Sequence, residues 1–543
     1  MHQGNGGDLL VQVMRDNGVD TAFGVVSVHN LPLVEAVSRE LRFVPVRHEA
    51  AAVNAADGHA RARGGIGVAI TSTGTGAGNA AGAMVEALTA GSPVLHVTGQ
   101  IDSPYLGQGR GVIHETRDQL GMLSAVSKRA TTITAAEEAG AALRGAIRAA
   151  RTLPTGPISV EWPIDLQYGG QRFERSAPER GERAAPAAEE AVRRAGELIR
   201  RARRPLLWVG GGGRSAREPL RELAERLGAG VLTSNSGRGA LPEEHELVVG
   251  NFATSPEAAA LLAEADLLIS VGTHFRSNET KHYALELPEQ HVQIDVDPAA
   301  IGRAYPATVG VVGEGHDVLR RLNTELGGTG VDAGWRARVT GIRSRVREHL
   351  RGAIGPYALI CDALRDTLPP ESVVARDVTI ASSQWGNRLL EIDRPETNVF
   401  PVGGGIGQGL ATGIGASLGN PDAPAVLLVG DGGLAVHLGE LGTLTQERPW
   451  LVVVVFNDGG YGVLRNMQDQ HVGRRSGVDL FTPDFGRLAS ALDLPHALVN
   501  RSDAFAEVFA KAVDHRGPYL VEVDVTALEP TPVPFVPPVH VPS

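Results

Sequence analysis

The sequence predicts an α/β protein with three doubly wound parallel-sheet domains. Short apolar runs recur along the chain, as at 66–72, 206–209 and 426–429, and each meets a glycine-rich turn that leads into a segment with helical periodicity. At 543 residues the chain is too long for one hydrophobic core and suggests roughly three domains. Stretches without apolar periodicity separate these units at 167–186 and 327–334. We therefore expect an N-terminal domain over 1–166, a linker over 167–188, a middle domain over 189–330, a C-terminal domain over 350–528 and a proline-rich tail over 529–543.

The composition, with 42% hydrophobic and 21% charged residues, is typical of a soluble globular protein. A net charge of −11 without a block of Lys or Arg argues against nucleic acid as a partner. No apolar run approaches the ~20 residues that span a bilayer, and residues 1–10 lack the features of a signal peptide. We therefore expect a cytoplasmic protein with no membrane partner. The single cysteine, Cys361, excludes an internal disulfide, and its apolar surroundings (ALICDAL) favour a buried structural thiol.

The N-terminal domain is predicted to begin with an amphipathic helix over 8–17 and a strand over 21–26, before a turn that carries Val28 and His29. The next strand leads directly into Glu49 and the alanine-rich helix 50–61. A carboxylate at a helix N-terminus is ordinarily a capping or dipole device, so this interpretation of Glu49 stands beside a catalytic one.

A further strand in this domain ends at Ser72 and meets a glycine-rich turn, which by itself is a weak phosphate signal. A helix to 89 and a strand over 93–98 complete this unit. His114 lies in the loop that follows, where a surface role is as consistent with the sequence as a catalytic one. The strand 154–163 closes the domain.

The middle domain opens with an amphipathic helix over 189–203 and a strand that meets the glycine turn 210–213. This order is how a dinucleotide site begins. The G-x-G-x-x-G pattern is absent in register, however, and the strand 231–235 ends without an acidic residue for a ribose. These two departures argue against NAD.

The C-terminal domain contains two apolar runs that end in polar turns. The first ends at Gly430-Asp431-Gly432-Gly433, and the run 451–456 ends at Asn457. In a parallel sheet both turns lie at the carboxyl edge, so Asp431 and Asn457 should converge there. Their oxygens suit Mg²⁺ or Ca²⁺, and the helix expected after Gly433 suits an anion such as a diphosphate. Capping of two turns is the competing interpretation.

The GDG sequence, followed after 24 residues by Asn457, resembles the cofactor motif of the thiamine diphosphate (ThDP) enzymes, the superfamily of acetolactate synthase, benzoylformate decarboxylase and benzaldehyde lyase. The usual Asn-Asn pair is Asn457-Asp458 here. The segment RHEAAAVNAADGHARARG resembles the part of these enzymes that carries their glutamate. The resemblance covers nearly the whole chain, and it implies that the Glu49 carboxyl contacts N1′ of the cofactor and assists proton removal from C2.

The resemblance also implies roles for individual residues. Catalytic roles fall on Glu49, on His29, which matches a histidine of benzaldehyde lyase, and on Ile406, which occupies the place of a large aliphatic side chain that bends the cofactor. For His29, a hydrogen bond to backbone in a turn is the competing interpretation, and for Ile406 it is ordinary packing. The implied metal ligands are Asp431, Asn457 and Gly459. Implied cofactor contacts are Glu49, Gly404, Ile406, Gly430, Asp431, Gly432, Gly433, Asn457, Gly459, Tyr461 and Gly462, and implied substrate contacts are Val28, Ser72, His114, Val463 and Met467.

Two further expectations follow from the family. Acetolactate synthases hold FAD in the middle domain and show an Arg-Phe-Asp-Asp-Arg run where this chain has THFRSN at 273–278, so we expect no FAD. The family also holds its cofactor between two subunits, which implies a homodimer or homotetramer. The tail 529–543 either folds over the active site or is disordered.

We expect a ThDP- and Mg²⁺-dependent 2-oxo acid decarboxylase or carboligase that resembles acetolactate synthase and forms acyloin-type products. Val28 and Ser72 stand where relatives place proton relays, and Met467 stands where acetolactate synthase has Trp. These differences favour carboligation, with pyruvate or a larger apolar 2-oxo acid. A simple benzoylformate-type decarboxylase, an acyloin lyase, a dione hydrolase and a catalytically silent binding paralogue are the alternatives.

Overall fold

Three six-stranded parallel sheets organise the computed structural model, which describes residues 2–328 and 330–537. They confirm the predicted fold class. The first and third sheets share one strand order, in which the first strand of the sheet lies between the second and the third. The middle sheet instead has the 3-2-1-4-5-6 order of dinucleotide-binding folds. The domain boundaries themselves stay predictions, although each sheet lies within one predicted range.

The first sheet has the order β3-β2-β4-β5-β7-β6. The elements around it are β1 (His2–Gly4), α1 (Gly6–Asp16), β2 (Thr21–Gly24), α2 (Leu31–Glu40), β3 (Arg42–Pro45), α3 (Glu49–Arg63), β4 (Gly67–Thr71), α4 (Thr75–Ala90), β5 (Val94–Gln100), α5 (Gln119–Val126), β6 (Arg129–Thr132), α6 (Ala139–Arg151), β7 (Ile158–Pro163), α7 (Ile164–Tyr168) and β8 (Gln171–Phe173).

The middle sheet has the order β11-β10-β9-β12-β13-β14. Its elements are α8 (Glu189–Arg201), β9 (Pro205–Val209), α9 (Arg217–Leu227), β10 (Gly230–Thr233), β11 (Val248–Gly250), α10 (Pro256–Glu264), β12 (Leu267–Val271), β13 (Gln290–Asp295), β14 (Val309–Val312), α11 (Gly315–Glu325) and α12 (Trp335–Ala353).

The third sheet has the order β16-β15-β17-β18-β20-β19. Its elements are α13 (Tyr357–Thr367), β15 (Val373–Arg376), β16 (Asn398–Val399), α14 (Gly409–Gly419), β17 (Ala425–Gly430), α15 (Asp431–Val436), α16 (Leu441–Glu447), β18 (Leu451–Asn457), α17 (Gly462–His471), α18 (Phe485–Ala491), β19 (His496–Val499), α19 (Phe505–Asp514) and β20 (Tyr519–Asp524).

The strands of the third sheet are apolar along their whole length because helices cover both faces. Side chains alternate along β18, so that Val452 and Val454 join one buried cluster while Val453 and Val455 join another on the opposite face. Cys361 lies on α13 within the first of these clusters, as expected for a structural thiol. Burial also raises the pKa of its thiol.

One local prediction needs correction. The helix expected after Gly433 begins earlier, at Asp431, and has only six residues. Within the predicted linker, β8 pairs in antiparallel fashion with β1. A three-residue strand is too short to produce a detectable apolar period.

The N-terminal and C-terminal domains of one chain meet where α3 crosses α14. A Cβ on Gly58 would lie 2.0 Å from Thr412 O, and one on Gly415 would lie 1.9 Å from Ala55 O. Only glycine allows the two backbones to approach this closely. Across residues 2–328 and 330–537, no helix combines the length and the apolar character needed to cross a membrane.

Candidate active site

The carboxyl edge of the third sheet contains a cavity of about 170 Å³. It opens beside β15 and β17, where the strand order reverses and α/β sheets commonly bind ligands. Predicted cofactor and substrate residues lie along it: Ile406, Gly430, Asp431, Gly432, Gly433, Tyr461, Gly462 and Val463. The described residues that line this cavity all belong to the third domain.

Two carboxylates lie together in this cavity. Asp431 is 1% exposed, and its Oδ1 accepts a hydrogen bond from Asp458 N at 3.3 Å. Asp431 Oδ2 and Asp458 Oδ1 are buried and have no hydrogen-bond partner among the described residues. Burial raises the pKa of Asp431. Burial, and then the charge of Asp431, raise the pKa of Asp458 to about 6, and Arg465, 3.6 Å away, only partly offsets this.

The Asp431 and Asp458 carboxylates carry negative charge that Arg465 only partly compensates. A divalent cation with oxygen ligands would occupy the free carboxylate oxygens and relieve the repulsion between them. Among the residues that the structure describes, including those of this cavity, no three or more His, Cys, Asp or Glu side chains are grouped so that they could hold a metal. A cation at this site would therefore need backbone, water or ligand oxygens to complete its shell.

Asn457 points away from the cavity. Its amide nitrogen donates to Glu522 Oε1 on the neighbouring strand at 2.8 Å, and its Oδ1 accepts from Gly459 N at 3.3 Å. Asn457 and Gly459 are not among the described residues that line the cavity, whereas Asp458 and Gly460 are. Asp458 and Gly460 were missed in the sequence because Asn457 occupied the expected spacing. The alternation of side chains along β18 separates the directions of Asn457 and Asp458, but it does not by itself show which of the two enters the cavity.

A third buried carboxylate supports the loop that carries Ile406. Asp377 accepts from Gly407 N at 3.1 Å, from Gly409 N at 2.7 Å and from Val378 N at 2.6 Å. The loop presents Ile406, which is 40% exposed, at the edge of the cavity. Asp377 directly follows β15 and was not among the predicted site residues.

Glu49 begins α3, with His48 as its N-cap residue. The Glu49 carboxylate is half-buried and accepts from Asn79 Nδ2 at 3.0 Å. A Cβ on Gly76 would lie 3.0 Å from Glu49 Oε1, so this glycine leaves room for the carboxylate. Within one chain, Glu49 lies on the first domain and Asp431 on the third.

The other predicted residues of the first domain lie near the carboxyl ends of β2, β4 and β5. His29 is buried, and its ring centroid is 5.3 Å from that of His114. Burial, and then the nearby His114, lower the pKa of His29. Neither His29 Nδ1 nor Ser72 Oγ has a hydrogen-bond partner in the described part of the chain. Val28 is 58% exposed.

A larger cavity of about 400 Å³ adjoins the first one and shares Val378, Val463 and Leu464 with it. Gly404 and Met467 line the larger cavity, and residues of the middle domain form its far wall. The tail reaches this region, since Asn466 Nδ2 donates to Phe535 O at 2.9 Å. Residues 538–543 of the predicted tail lie outside the described residues.

Comparison with protein families matches each sheet to one domain type. The description "Thiamine pyrophosphate enzyme, N-terminal TPP binding domain" matches residues 4–122. The central domain of the same enzymes matches 192–322, and their C-terminal TPP binding domain matches 379–523.

Curated relatives resemble the chain over most of its length. A probable 2-ketoarginine decarboxylase of Pseudomonas aeruginosa is 33% identical over 494 residues, which cover 89% of this chain and 88% of the relative. The acetolactate synthase isozyme 2 large subunit of Escherichia coli is 30% identical, with 98% of each chain covered. A probable acetolactate synthase large subunit of Methanocaldococcus jannaschii is 28% identical over 98% of this chain and 93% of its own.

Proposed function

The chain belongs to the thiamine pyrophosphate (ThDP) enzymes, and on this premise we propose that it is a Mg²⁺-dependent 2-oxo acid decarboxylase or carboligase of the acetolactate synthase type. The family match confirms the predicted resemblance and the prediction of an enzyme acting on carbon–carbon bonds. The observation that carries the metal-dependent part of the proposal is the pair of buried carboxylates, each with an unpartnered oxygen, at the carboxyl edge of the third sheet.

Mg²⁺ and the diphosphate of the cofactor would be held at this edge. The proposed protein ligands are Asp431, Asp458 and the carbonyl of Gly460, in place of Asn457 and Gly459. The side chain of Asn457 is engaged by Glu522, and the carbonyl of Gly459 accepts a hydrogen bond from Leu480 N at 3.0 Å. Gly460 O instead faces Gly432, since it lies 3.0 Å from where a Cβ on Gly432 would be.

The active site would be completed by a second copy of the chain. Glu49 of one chain would meet the cavity of its partner, because the described lining of that cavity contains only third-domain residues. Apolar side chains are exposed on both surfaces that would meet: Ile406, Val436 and Leu464 on the third domain, and Val26 and Val28 on the first. Exposed apolar groups of this kind mark interaction surfaces.

Each proposed residue has a chemical task. When bound, the cofactor supplies a nucleophilic carbon and an electron sink for cleavage beside the 2-oxo group. The Glu49 carboxyl would hold a proton at N1′, and Ile406 would bend the cofactor by contact. Because the pKa of His29 is lowered, its ring is neutral at neutral pH and its unpartnered Nδ1 can accept or relay a proton from substrate.

One observation favours decarboxylation of an extended substrate as the second candidate. The adjoining cavity of about 400 Å³ is far larger than pyruvate requires and is lined by polar side chains such as Arg276 and Glu279. The relative named as a probable 2-ketoarginine decarboxylase is in keeping with this candidate.

The test combines cofactor depletion, matched variants and product analysis. Activity on pyruvate and longer 2-oxo acids is measured after removal and re-addition of ThDP and Mg²⁺, with products resolved by chiral chromatography. Asp431→Ala and Asp458→Ala should raise the requirement for metal and cofactor together, and Asn457→Ala should do so much less. Acyloin products support carboligation, whereas free aldehyde from every substrate supports the decarboxylase. Full activity after exhaustive removal of ThDP and metal contradicts the proposal.

A further inference from the structure

Three cavities at the third sheet adjoin one another through shared lining residues, and together they are called the passage below. The cavity that contains Asp431 adjoins the larger one through Val378, Val463 and Leu464. The larger cavity in turn shares Asn235, Glu279 and Asn387 with a third cavity of about 140 Å³. A substrate that reacts beside Ile406, in the cavity that contains Asp431, therefore has room to extend toward the middle domain.

Glu279 lies at the far end of this passage. It follows β12 in the short turn Ser277–Glu279 and is 8% exposed. Its Oε1 accepts a hydrogen bond from Asn235 N at 2.9 Å, whereas Oε2 has no hydrogen-bond partner among residues 2–328 and 330–537. Burial raises the pKa of Glu279, and the charges of Arg276 and Arg388 only partly offset this. A buried carboxylate oxygen without a donor is costly unless a ligand supplies one.

Three arginines near this end donate to oxygens of the protein itself. Arg276 donates to Val402 O at 2.7 Å and to Thr89 O at 3.2 Å. Arg388 donates to Gln384 O at 2.9 Å, and Arg376 donates to Gly386 O at 2.8 Å. These contacts hold the walls of the passage in place.

The unpartnered atoms around this end are mostly acceptors. Beside Glu279 Oε2 they include Asn235 Oδ1 and Asn387 Oδ1, with Arg376 Nε as the donor, as counted over the part of the chain that the structure describes. A ligand that brings several N–H groups and a positive charge matches this set better than one that brings further acceptors.

We propose that the Asn235, Glu279 and Asn387 end of the passage binds the cationic terminus, a guanidinium or an ammonium group, of an extended 2-oxo acid. This inference rests on the proposed function, because the reacting end of the substrate would lie at the Asp431 cavity. Glu279 is then a specificity residue for a chemical class of substrate, distant from the reacting atoms.

The decisive comparison uses two substrates that differ in charge but hardly in shape. The holoenzyme, loaded with ThDP and Mg²⁺, is assayed with 5-guanidino-2-oxopentanoate and with its neutral analogue 5-ureido-2-oxopentanoate, alongside 2-oxoadipate and pyruvate. We expect kcat/KM for the guanidino acid to exceed that for the ureido acid by about 10- to 100-fold, the range expected of a hydrogen bond to a charged group. Equal values, or a preference for 2-oxoadipate, overturn the inference.

Matched variants assign the effect to Glu279. Glu279→Gln should lower kcat/KM for the guanidino acid at least about tenfold, mainly through KM, and change pyruvate turnover less than about threefold. The control is Glu257→Gln, which makes the same chemical change in a neighbouring cavity where Glu257 accepts from His349 Nδ1 at 2.7 Å, and it should leave both substrates unchanged. Equal losses on both substrates with Glu279→Gln indicate a structural role and overturn the inference.

Calorimetric titration separates this inference from the proposed function. Each acid is titrated into wild-type protein, Glu279→Gln and Glu257→Gln. Tighter binding of the guanidino acid that is lost only in Glu279→Gln, without turnover of any acid, supports the subsite while contradicting the proposed reaction. Turnover of pyruvate with no preference for the guanidino acid supports the reaction and contradicts the subsite.

Discussion

Replacing Glu86 with alanine should destabilise the contact between the first domain and the loop that walls the large cavity. Glu86 lies on α4 and is 3% exposed. Its Oε1 accepts from Val402 N at 2.6 Å, and its Oε2 accepts from Gly403 N at 2.8 Å. Arg61, 3.2 Å away, pairs with Glu86 and also donates to Phe400 O at 2.6 Å. The Glu86 carboxylate therefore contacts three groups at or beside this loop, namely Val402 N, Gly403 N and the Arg61 guanidinium.

The magnitude follows from the groups that lose a partner. The N–H groups of Val402 and Gly403, which are only partly buried, would each lose a hydrogen bond to a charged group, worth about 1.5–3 kcal/mol. Arg61 keeps its ion pair with Asp57 at 2.7 Å, so its charge stays compensated. We expect Glu86→Ala to lower the free energy of unfolding by about 3–5 kcal/mol in total. For a domain of this size that corresponds to a fall in Tm of about 6–20 °C.

The assay is differential scanning calorimetry with steady-state kinetics on the same samples. Glu35→Ala is the matched control, because Glu35 makes an exposed ion pair with Arg39 four residues along α2. It should cost no more than about 0.5 kcal/mol. KM should rise in Glu86→Ala, since the loop lines the cavity. A Tm within about 2 °C of wild type for Glu86→Ala would refute the reasoning, because the loop would then be held by other contacts.

Four further predictions test the site. Because burial and the Asp431 charge raise the pKa of Asp458 from 3.8 to about 6, the folded metal-free protein binds more protons than the unfolded chain between these values. Its stability should therefore fall as pH rises through this window, and urea titrations should show the slope flattened in Asp458→Asn. Glu49→Gln should retain ThDP but lose most proton exchange at C2, measured by NMR, and exchange at the wild-type rate would remove Glu49 from this role. His29→Ala should slow turnover without changing ThDP affinity, whereas an unchanged rate would rule out the proton relay. The purified protein should be colourless, and release of FAD on denaturation would contradict this.

The local pattern of the sequence was sufficient for the fold class. Parallel strands that are buried on both faces appear as short apolar runs, and the turns after them contain glycine, so three domains could be predicted without contacts. The position of Asp431 could be predicted for the same reason, because a residue that directly follows a buried strand lies at the carboxyl edge of the sheet. The three-residue strand β8 fell below the length at which such a pattern is visible.

The directions of side chains could not be predicted in this way. Asn457 and Asp458 are adjacent in sequence, yet the Asn457 side chain donates to Glu522, whereas Asp458 lines the cavity with Asp431. Which of the two enters the cavity depends on the backbone beyond the end of β18 and on β20, which is distant in the chain.

By itself, the sequence determined the three α/β domains, the family, and the strand ends at which Glu49 and Asp431 lie. Only the tertiary structure decided that Glu86 of the first domain holds the loop at Val402, and that Glu279 of the middle domain closes the passage leading from Asp431. The physical reason is that periodicity and turn chemistry are local properties of the chain. Contacts between residues that are distant in sequence instead depend on how the folded elements pack together. No residue adjacent to Glu86 or Glu279 in the sequence indicates which group either carboxylate contacts.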